Sequence, residues 1–139
     1  MKKQLRWGIL GTAKIAEKSL IPAFHVSKYN NLTGVASRSI SKAQEFTQAN
    51  GIPVTYNSYE ALLEDKGIDA VYIPLPNNLH KPWTIAALQA GKHVLCEKPI
   101  ALNAAEARQM VSAAEENERV LMEAYMYRYH PRMDKVLAL

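Results

Sequence analysis

Six short apolar runs, separated by longer stretches whose apolar residues lie three or four positions apart, constrain this chain more than any single residue does. The runs Leu5–Leu10, Leu32–Ser37, Val54–Tyr56, Ala70–Leu75, His93–Glu97 and Val120–Ala124 are rich in Val, Ile and Tyr and read as strands. Between them, Ala13–Lys28, Lys42–Asn50, Tyr59–Asp65, Lys81–Ala90 and Ala104–Asn117 carry helical spacing. The order is therefore strand, helix, strand, helix throughout, which is the signature of an α/β domain.

Strands that read as nearly continuous apolar runs are covered on both faces, as in a parallel sheet with right-handed helical crossovers. The expectation is a doubly wound, parallel-sheet Rossmann domain. Local chemistry agrees. Ser41 with Gln44 and Asn103 with Glu106 have capping-box spacing, and Gly91 follows Ala90 as a left-handed helix stop. Pro74 cannot donate a ladder hydrogen bond, so the fourth strand should end there. At 139 residues, 48% hydrophobic and 22% charged, the chain can bury one ordinary core.

Several classes are disfavoured. The single cysteine, Cys96, provides neither a disulfide framework nor metal-ligand spacing, so no metal and a reducing, cytoplasmic setting are expected. The segment Trp7 to Leu10 after Met1-Lys2-Lys3-Gln4-Leu5-Arg6 is far too short for a signal-peptide core or membrane span. A soluble protein follows, with no membrane partner. The net charge of +4 comes from scattered lysines and arginines with no basic run interleaved with aromatics, which argues against a nucleic-acid partner.

The first strand runs into Gly8-Ile9-Leu10-Gly11-Thr12-Ala13-Lys14-Ile15-Ala16. With Gly11 at the first position of the dinucleotide fingerprint, Ala13 and Ala16 occupy the second and third. Ala16 still permits close packing of helix on strand, whereas Ala13 restricts the approach of backbone to a pyrophosphate. The turn alone is equally a strand-to-helix connection with small residues. Its place before a helix whose free N–H groups favour an anion makes Gly11, Thr12, Ala13, Lys14 and Ile15 candidate cofactor contacts. About twenty residues on, where a carboxylate would hold the ribose diol of NAD, the second strand ends in Ser37-Arg38-Ser39. A guanidinium offers a planar fork for a 2′-phosphate, so Ser37 and Arg38 point to NADP, with NAD possible; the alternative is a solvated loop arginine.

Ligands of open parallel sheets bind beyond the carboxyl ends of the strands. Pro76-Asn77-Asn78-Leu79-His80 follows the fourth strand and Glu97-Lys98-Pro99 the fifth. Lys98, expected to be partly desolvated beside a nicotinamide, is a candidate group to take the hydroxyl proton as hydride leaves a carbinol carbon. Position alone leaves it equally a solvated lysine. Glu97 should point away from Lys98 and reach cofactor or a helix N-terminus. Pro99 could follow a cis bond. His80 either touches the nicotinamide ribose or caps a helix at the surface. His93 and Cys96 are assigned to the core. After the sixth strand, Tyr125, Arg128 and His130 are candidate substrate contacts, or part of an interface with whatever follows in a longer chain.

Together these segments, with Glu123-Ala124-Tyr125-Met126-Tyr127-Arg128, resemble the glucose-fructose oxidoreductase, inositol dehydrogenase and MocA family. The resemblance implies an NAD(P)-dependent oxidoreductase acting on a sugar, polyol or cyclic alcohol. It implies that Lys98 is catalytic and that Asn77 and His80 contact the cofactor. Ser37-Arg38 and the Tyr-Met-Tyr-Arg segment look like the NADP-linked xylose and dihydrodiol dehydrogenase branch. On this reading residues 1–124 form the dinucleotide-binding domain and residues 125–139 begin the connection to a C-terminal α+β substrate domain that is absent, whose presence in the parent would also bring a homo-oligomer. The rival is a nucleotide-binding module without turnover. A methyltransferase shares the fold, but it too wants an acidic residue where Ser37-Arg38 stands.

Overall fold

The computed structural model describes residues 4–139; Met1 to Lys3, part of the expected 1–124 domain and of the amino-terminal segment, lie outside it. Six strands, β1 (Leu5–Leu10), β2 (Asn30–Ala36), β3 (Val54–Tyr56), β4 (Ala70–Ile73), β5 (His93–Cys96) and β6 (Leu121–Glu123), form one sheet in the order β3-β2-β1-β4-β5-β6. Every neighbouring pair is parallel. The order reverses beside β1, which lies between β2 and β4 and opens a crevice at the carboxyl edge there.

Side-chain alternation divides the core into two layers. Leu10, Ala36, Val71, Ile73, Val94 and Cys96 face one way, onto α3 (Tyr59–Glu64), α4 (His80–Gln89) and α5 (Ala104–Glu116). Ile9, Val35 and Tyr72 face the other way, onto Ala16, Ile21 and Phe24. The fourth strand stops at Ile73, immediately before Pro74, as a residue without an N–H requires.

The first helix, α1 (residues 14–26), is not uniform. Ala16–Leu20 winds as a π segment before α-helical geometry resumes at Ile21–Val26. Pro22 explains the widening: it has no N–H to give, its ring crowds the carbonyl four residues back, and the Ile21 amide instead donates to Ala16 five residues back. In α2 (Ile40–Asn50) the cap is Ser39, whose hydroxyl accepts the Lys42 amide at 3.4 Å. The helix begins before Ser41, so the expected Ser41–Gln44 capping box does not form. Asn103 does cap α5, accepting the Glu106 amide at 3.0 Å, while Glu106 reaches back to the Leu102 amide at 3.1 Å. Gly91 takes a φ of 77° at the end of α4, as expected.

Of the two residues assigned to the core, Cys96 is fully buried, and burial pushes its thiol up to about 12, far from reactivity. His93 is only half-buried. Its Nδ1 accepts the Val120 amide at 3.0 Å, and burial together with Arg119 lowers its pKa. A short helix, α6 (Pro131–Leu137), ends the chain. No helix among the described residues is long and apolar enough to cross a membrane.

Candidate functional site

The carboxyl ends of β1, β2, β4 and β5 gather the candidate residues on one edge of the sheet. After β1, the Gly11 amide donates to Ala36 O at 2.7 Å and the chain turns with φ 107°. A Cβ at Gly11 would stand 2.9 Å from Leu75 Cδ2, a side-chain tip that can move aside, so it is the positive φ that calls for glycine. Ala13 has no such need: among the described residues Glu118 is the only non-glycine with positive φ. An alanine at the second fingerprint position is therefore compatible with the turn. Thr12 and Ala13 are half-buried, Lys14 and Ile15 exposed, and Ala16 fully buried against the sheet. The first turn of α1 closes with the Ala16 amide donating to Ala13 O at 3.0 Å, and a helix start of this kind favours an anion.

Ser37 is buried at the end of β2, with its hydroxyl accepting the Ser39 amide at 3.4 Å, and Arg38 is exposed beside it. The Tyr59 hydroxyl, from the start of α3, stands 4.0 Å from where a Gly11 Cβ would lie. Burial raises the Tyr59 pKa, with the Arg38 charge acting in the opposite direction. Tyr59 was absent from the sequence-derived candidates. Its ordinary place at a helix start gave no signal, because the contact is made across elements.

Pro76 and Asn77 are exposed at the end of β4, on the crevice edge. His80 is different. Its side chain is fully buried, with Nδ1 2.8 Å from Pro99 O and Nε2 2.7 Å from Leu75 O. Both ring nitrogens are engaged by backbone carbonyls, so the ring is neither a surface cap nor in a position to touch a cofactor directly. It latches the turn after β4 to the turn after β5.

Glu97 leaves β5 toward the α1 face. Its Oε1 accepts the Tyr72 hydroxyl at 2.6 Å and its Oε2 the Lys98 amide at 3.1 Å, and burial with this bond raises the Tyr72 pKa strongly. The carboxylate thus makes no ion pair with the Lys98 ammonium, as alternation along the strand required. Lys98 is solvent-exposed, so the partial desolvation expected of it is not supplied by the described residues. The Lys98-Pro99 bond is cis, and the Ile100 amide is held by Glu123 Oε1 at 2.8 Å.

A groove of about 730 Å³ lies on the α1 face of the sheet, with Ile15, Tyr72, Leu95, Glu97, Met122 and Tyr125 in its wall. Of the three residues expected at a substrate pocket, Tyr125 lines this groove, its ring 5.6 Å from that of Tyr127. His130 caps α6 by accepting the Arg132 amide at 3.1 Å and lines a separate cavity. Arg128 is exposed and lines neither.

The chain is similar to known proteins over nearly its whole length. The chain is 47% identical over 135 residues to a D-xylose 1-dehydrogenase (NADP(+)) of Haloferax volcanii, covering 97% of this chain and 41% of that protein. It is 40% identical over 131 residues to the trans-1,2-dihydrobenzene-1,2-diol dehydrogenase of Mus musculus, covering 94% of this chain and 39% of the enzyme. The crystal structure of KijD10, a 3-ketoreductase from Actinomadura kijaniata in complex with NADP and TDP-benzene, superposes with a TM-score of 0.90 at 39% identity, over 96% of this chain and 41% of that one. The chain thus spans about two fifths of the length of these relatives. Residues 5–125 match the oxidoreductase family with an NAD-binding Rossmann fold that takes its name from glucose-fructose oxidoreductase, inositol dehydrogenase and MocA, and this chain belongs to that family.

Proposed function

We propose that this chain is the cofactor-binding half of an NADP-linked dehydrogenase or reductase acting on a sugar, polyol or cyclic alcohol, with Lys98 as its proton relay. One observation carries the reading: the glycine-requiring turn at Gly11, the guanidinium of Arg38 and the ammonium of Lys98 converge on a single edge, at the ends of β1, β2 and β5. The relatives' names, NADP-linked D-xylose dehydrogenase and dihydrodiol dehydrogenase, and the NADP in the KijD10 crystal support the cofactor and the alcohol chemistry.

The residues present suit a dinucleotide. The Gly11 turn, with its φ of 107°, would bring a pyrophosphate to the amides of Thr12, Ala13, Lys14 and Ile15 at the start of α1. Arg38, with Ser37 beside it, would hold a 2′-phosphate, and Pro76 and Asn77 would border the nicotinamide side. When bound, the nicotinamide supplies the site of hydride exchange. Lys98 Nζ takes the proton of the substrate hydroxyl in oxidation and returns it in reduction. Glu97 is kept from neutralising that amine by its bonds to Tyr72 and to the Lys98 amide. His80 holds the two turns that carry Asn77 and Lys98. Tyr125, at the rim of the groove, is placed to wall the substrate, and Arg128 and His130 would join it only from the segment after β6.

Residues 1–124 are proposed as the cofactor domain and 125–139 as the lead into a substrate domain, which in the complete protein supplies the remaining pocket and a homo-oligomeric interface. A cytoplasmic setting fits a lone thiol buried in the core. The test is direct. The 139-residue chain should shift NADPH fluorescence and fail to reduce NADP with a panel of sugars and polyols. Measurable turnover that vanished in Lys98→Ala would overturn the half-site reading, and no NADPH binding would overturn the cofactor reading.

A further inference from the structure

The turn that carries Lys98 is held by side chains rather than by its own backbone. Among the described residues, no main-chain group of Lys98, Pro99 or Ile100 pairs with another main-chain group. Three side chains supply the partners instead. Glu97 Oε2 accepts the Lys98 amide at 3.1 Å, His80 Nδ1 lies 2.8 Å from Pro99 O, and Glu123 Oε1 accepts the Ile100 amide at 2.8 Å. They come from the end of β5, from α4 and from β6. Lys98 and Pro99 are exposed, so packing does little to place them.

The three partners are not equivalent. Glu97 is the lysine's own neighbour in the chain. Glu123 alone reaches the turn from the edge strand, 23 positions away in sequence. It stands in register with Cys96, and the next amide, that of Ala124, donates to Cys96 O at 2.8 Å, so its backbone is anchored in the sheet. Alternation along β6 turns Met122 to the groove and sends Leu121 and Glu123 to the opposite face, where Ile100 packs against the core under α4 and α5. A carboxylate accepting from an amide makes a charge-assisted bond, stronger than a neutral one. Directly after Glu123 the chain leaves the sheet: the Tyr125 amide donates to Glu123 O at 2.8 Å, and Tyr125 walls the groove. One residue thus meets the lysine turn through its side chain and the groove wall through its carbonyl.

We propose that Glu123 is a positioning residue for Lys98: its carboxylate, anchored at the end of β6, fixes the Ile100 amide and so sets where the turn presents the Lys98 ammonium to the nicotinamide. The inference rests on the proposed role of Lys98. Glu123 acts through the turn and not by touching the cofactor.

The test follows the 13Cε signal of Lys98, assigned from its loss in Lys98→Ala, as the 139-residue chain is brought to saturation with NADP. The signal should shift in the unaltered chain. In Glu123→Ala the shift should fall to about half or less, since a displacement of about 1 Å is large for groups that must meet in a defined geometry. The NADP dissociation constant should stay within about 2-fold, because the phosphate contacts lie on other strands. Glu123→Gln keeps an acceptor at the same reach and should restore the Lys98 shift. If Lys98 is silent in the unaltered chain, the Lys98 reading falls and this inference with it. If Lys98 responds there and responds equally in Glu123→Ala, the inference falls and the Lys98 reading stands. NADP affinity lost in step with the Lys98 shift, or a Glu123→Gln no better than Glu123→Ala, marks Glu123 as a general structural residue and overturns the proposal. Should Glu123→Ala not fold, Glu123→Asp decides: its carboxylate, one methylene short, is drawn back from the Ile100 amide, and an unchanged Lys98 shift overturns the inference.

Discussion

Two pairs of cations, one at each edge of the sheet, are used in opposite ways. At the amino edge, Arg6 grips Asp69 through Nε at 2.8 Å and Nη2 at 2.7 Å and adds a bond to Lys66 O at 2.9 Å. Lys92, 5% exposed, donates to Asp65 O at 2.7 Å and Ile68 O at 2.9 Å, and burial lowers its pKa while Asp65 and Asp69 act against that. Asp65 in turn accepts from the Tyr56 hydroxyl and the Gly67 amide, which hold its carboxyl below the usual range. At the carboxyl edge, Arg38 and Lys98 are exposed and in no ion pair among the described residues. Arg6 and Lys92 at one end tie loops together, whereas Arg38 and Lys98 at the other stand open to something outside the chain.

The contrast should break cleanly when either edge is altered. The largest effect belongs to Lys98→Ala in the complete parent protein: kcat should fall by about 10²- to 10⁴-fold, the contribution of a positioned acid–base group. The same change should move the unfolding free energy of this chain by less than about 0.5 kcal/mol in a urea titration, as for an exposed residue. A large loss of stability would place Lys98 with the amino-edge charges instead.

Lys92→Met is the mirror experiment. It strips the buried Ile68 carbonyl and the half-buried Asp65 carbonyl of their donor, so chemical denaturation should show a loss of about 2–3 kcal/mol. NADPH affinity of the folded protein should change by less than about 2-fold, and a larger change would erase the distinction between the edges.

Arg38→Ala comes next, with an expected drop of about 10-fold or more in the ratio of NADPH to NADH affinity, as for a charge-assisted phosphate contact. Stability should hold, since nothing in the fold depends on that side chain for burial.

The smallest effect sharpens the amino edge alone. Because the folded Asp65 carboxyl lies below its ordinary value, its stabilisation is complete above about pH 4, the unfolded aspartate value, and is lost as pH falls through the folded one. The Tyr56 hydrogen bond is the leading cause. Tyr56→Phe should therefore flatten the fall of the urea midpoint between pH 5 and pH 3, and an unchanged slope would remove Asp65 from the amino-edge network.

Legibility in the sequence follows the range of the forces involved. The strand–helix alternation was readable because each strand needs only its own apolar pattern and a nearby turn signal, and Pro74 even marked where β4 stops. The Gly11 turn and the Glu97–Lys98 divergence were readable for the same reason, since positive φ and side-chain alternation are local rules. What escaped depended on distant partners. Ser39 displaced Ser41 as the α2 cap because the helix starts two residues earlier than the polar pattern suggests. Pro22 was visible, but the π segment it imposes on α1 was not read from it. His80 and Tyr59 are placed by Pro99, Leu75 and Trp83, residues 5 to 24 positions away in sequence, and no short window of the chain contains all of these contacts.

The His80 ring gives this last point a practical side. Both of its neighbours, Leu75 O and Pro99 O, can only accept, so both bonds exist together only when both ring nitrogens carry hydrogen. A ring with one hydrogen leaves one carbonyl facing a lone pair. The 15N chemical shifts of a single imidazole thus count the hydrogens between two turns, and make His80 an internal reporter of whether the ends of β4 and β5 are latched.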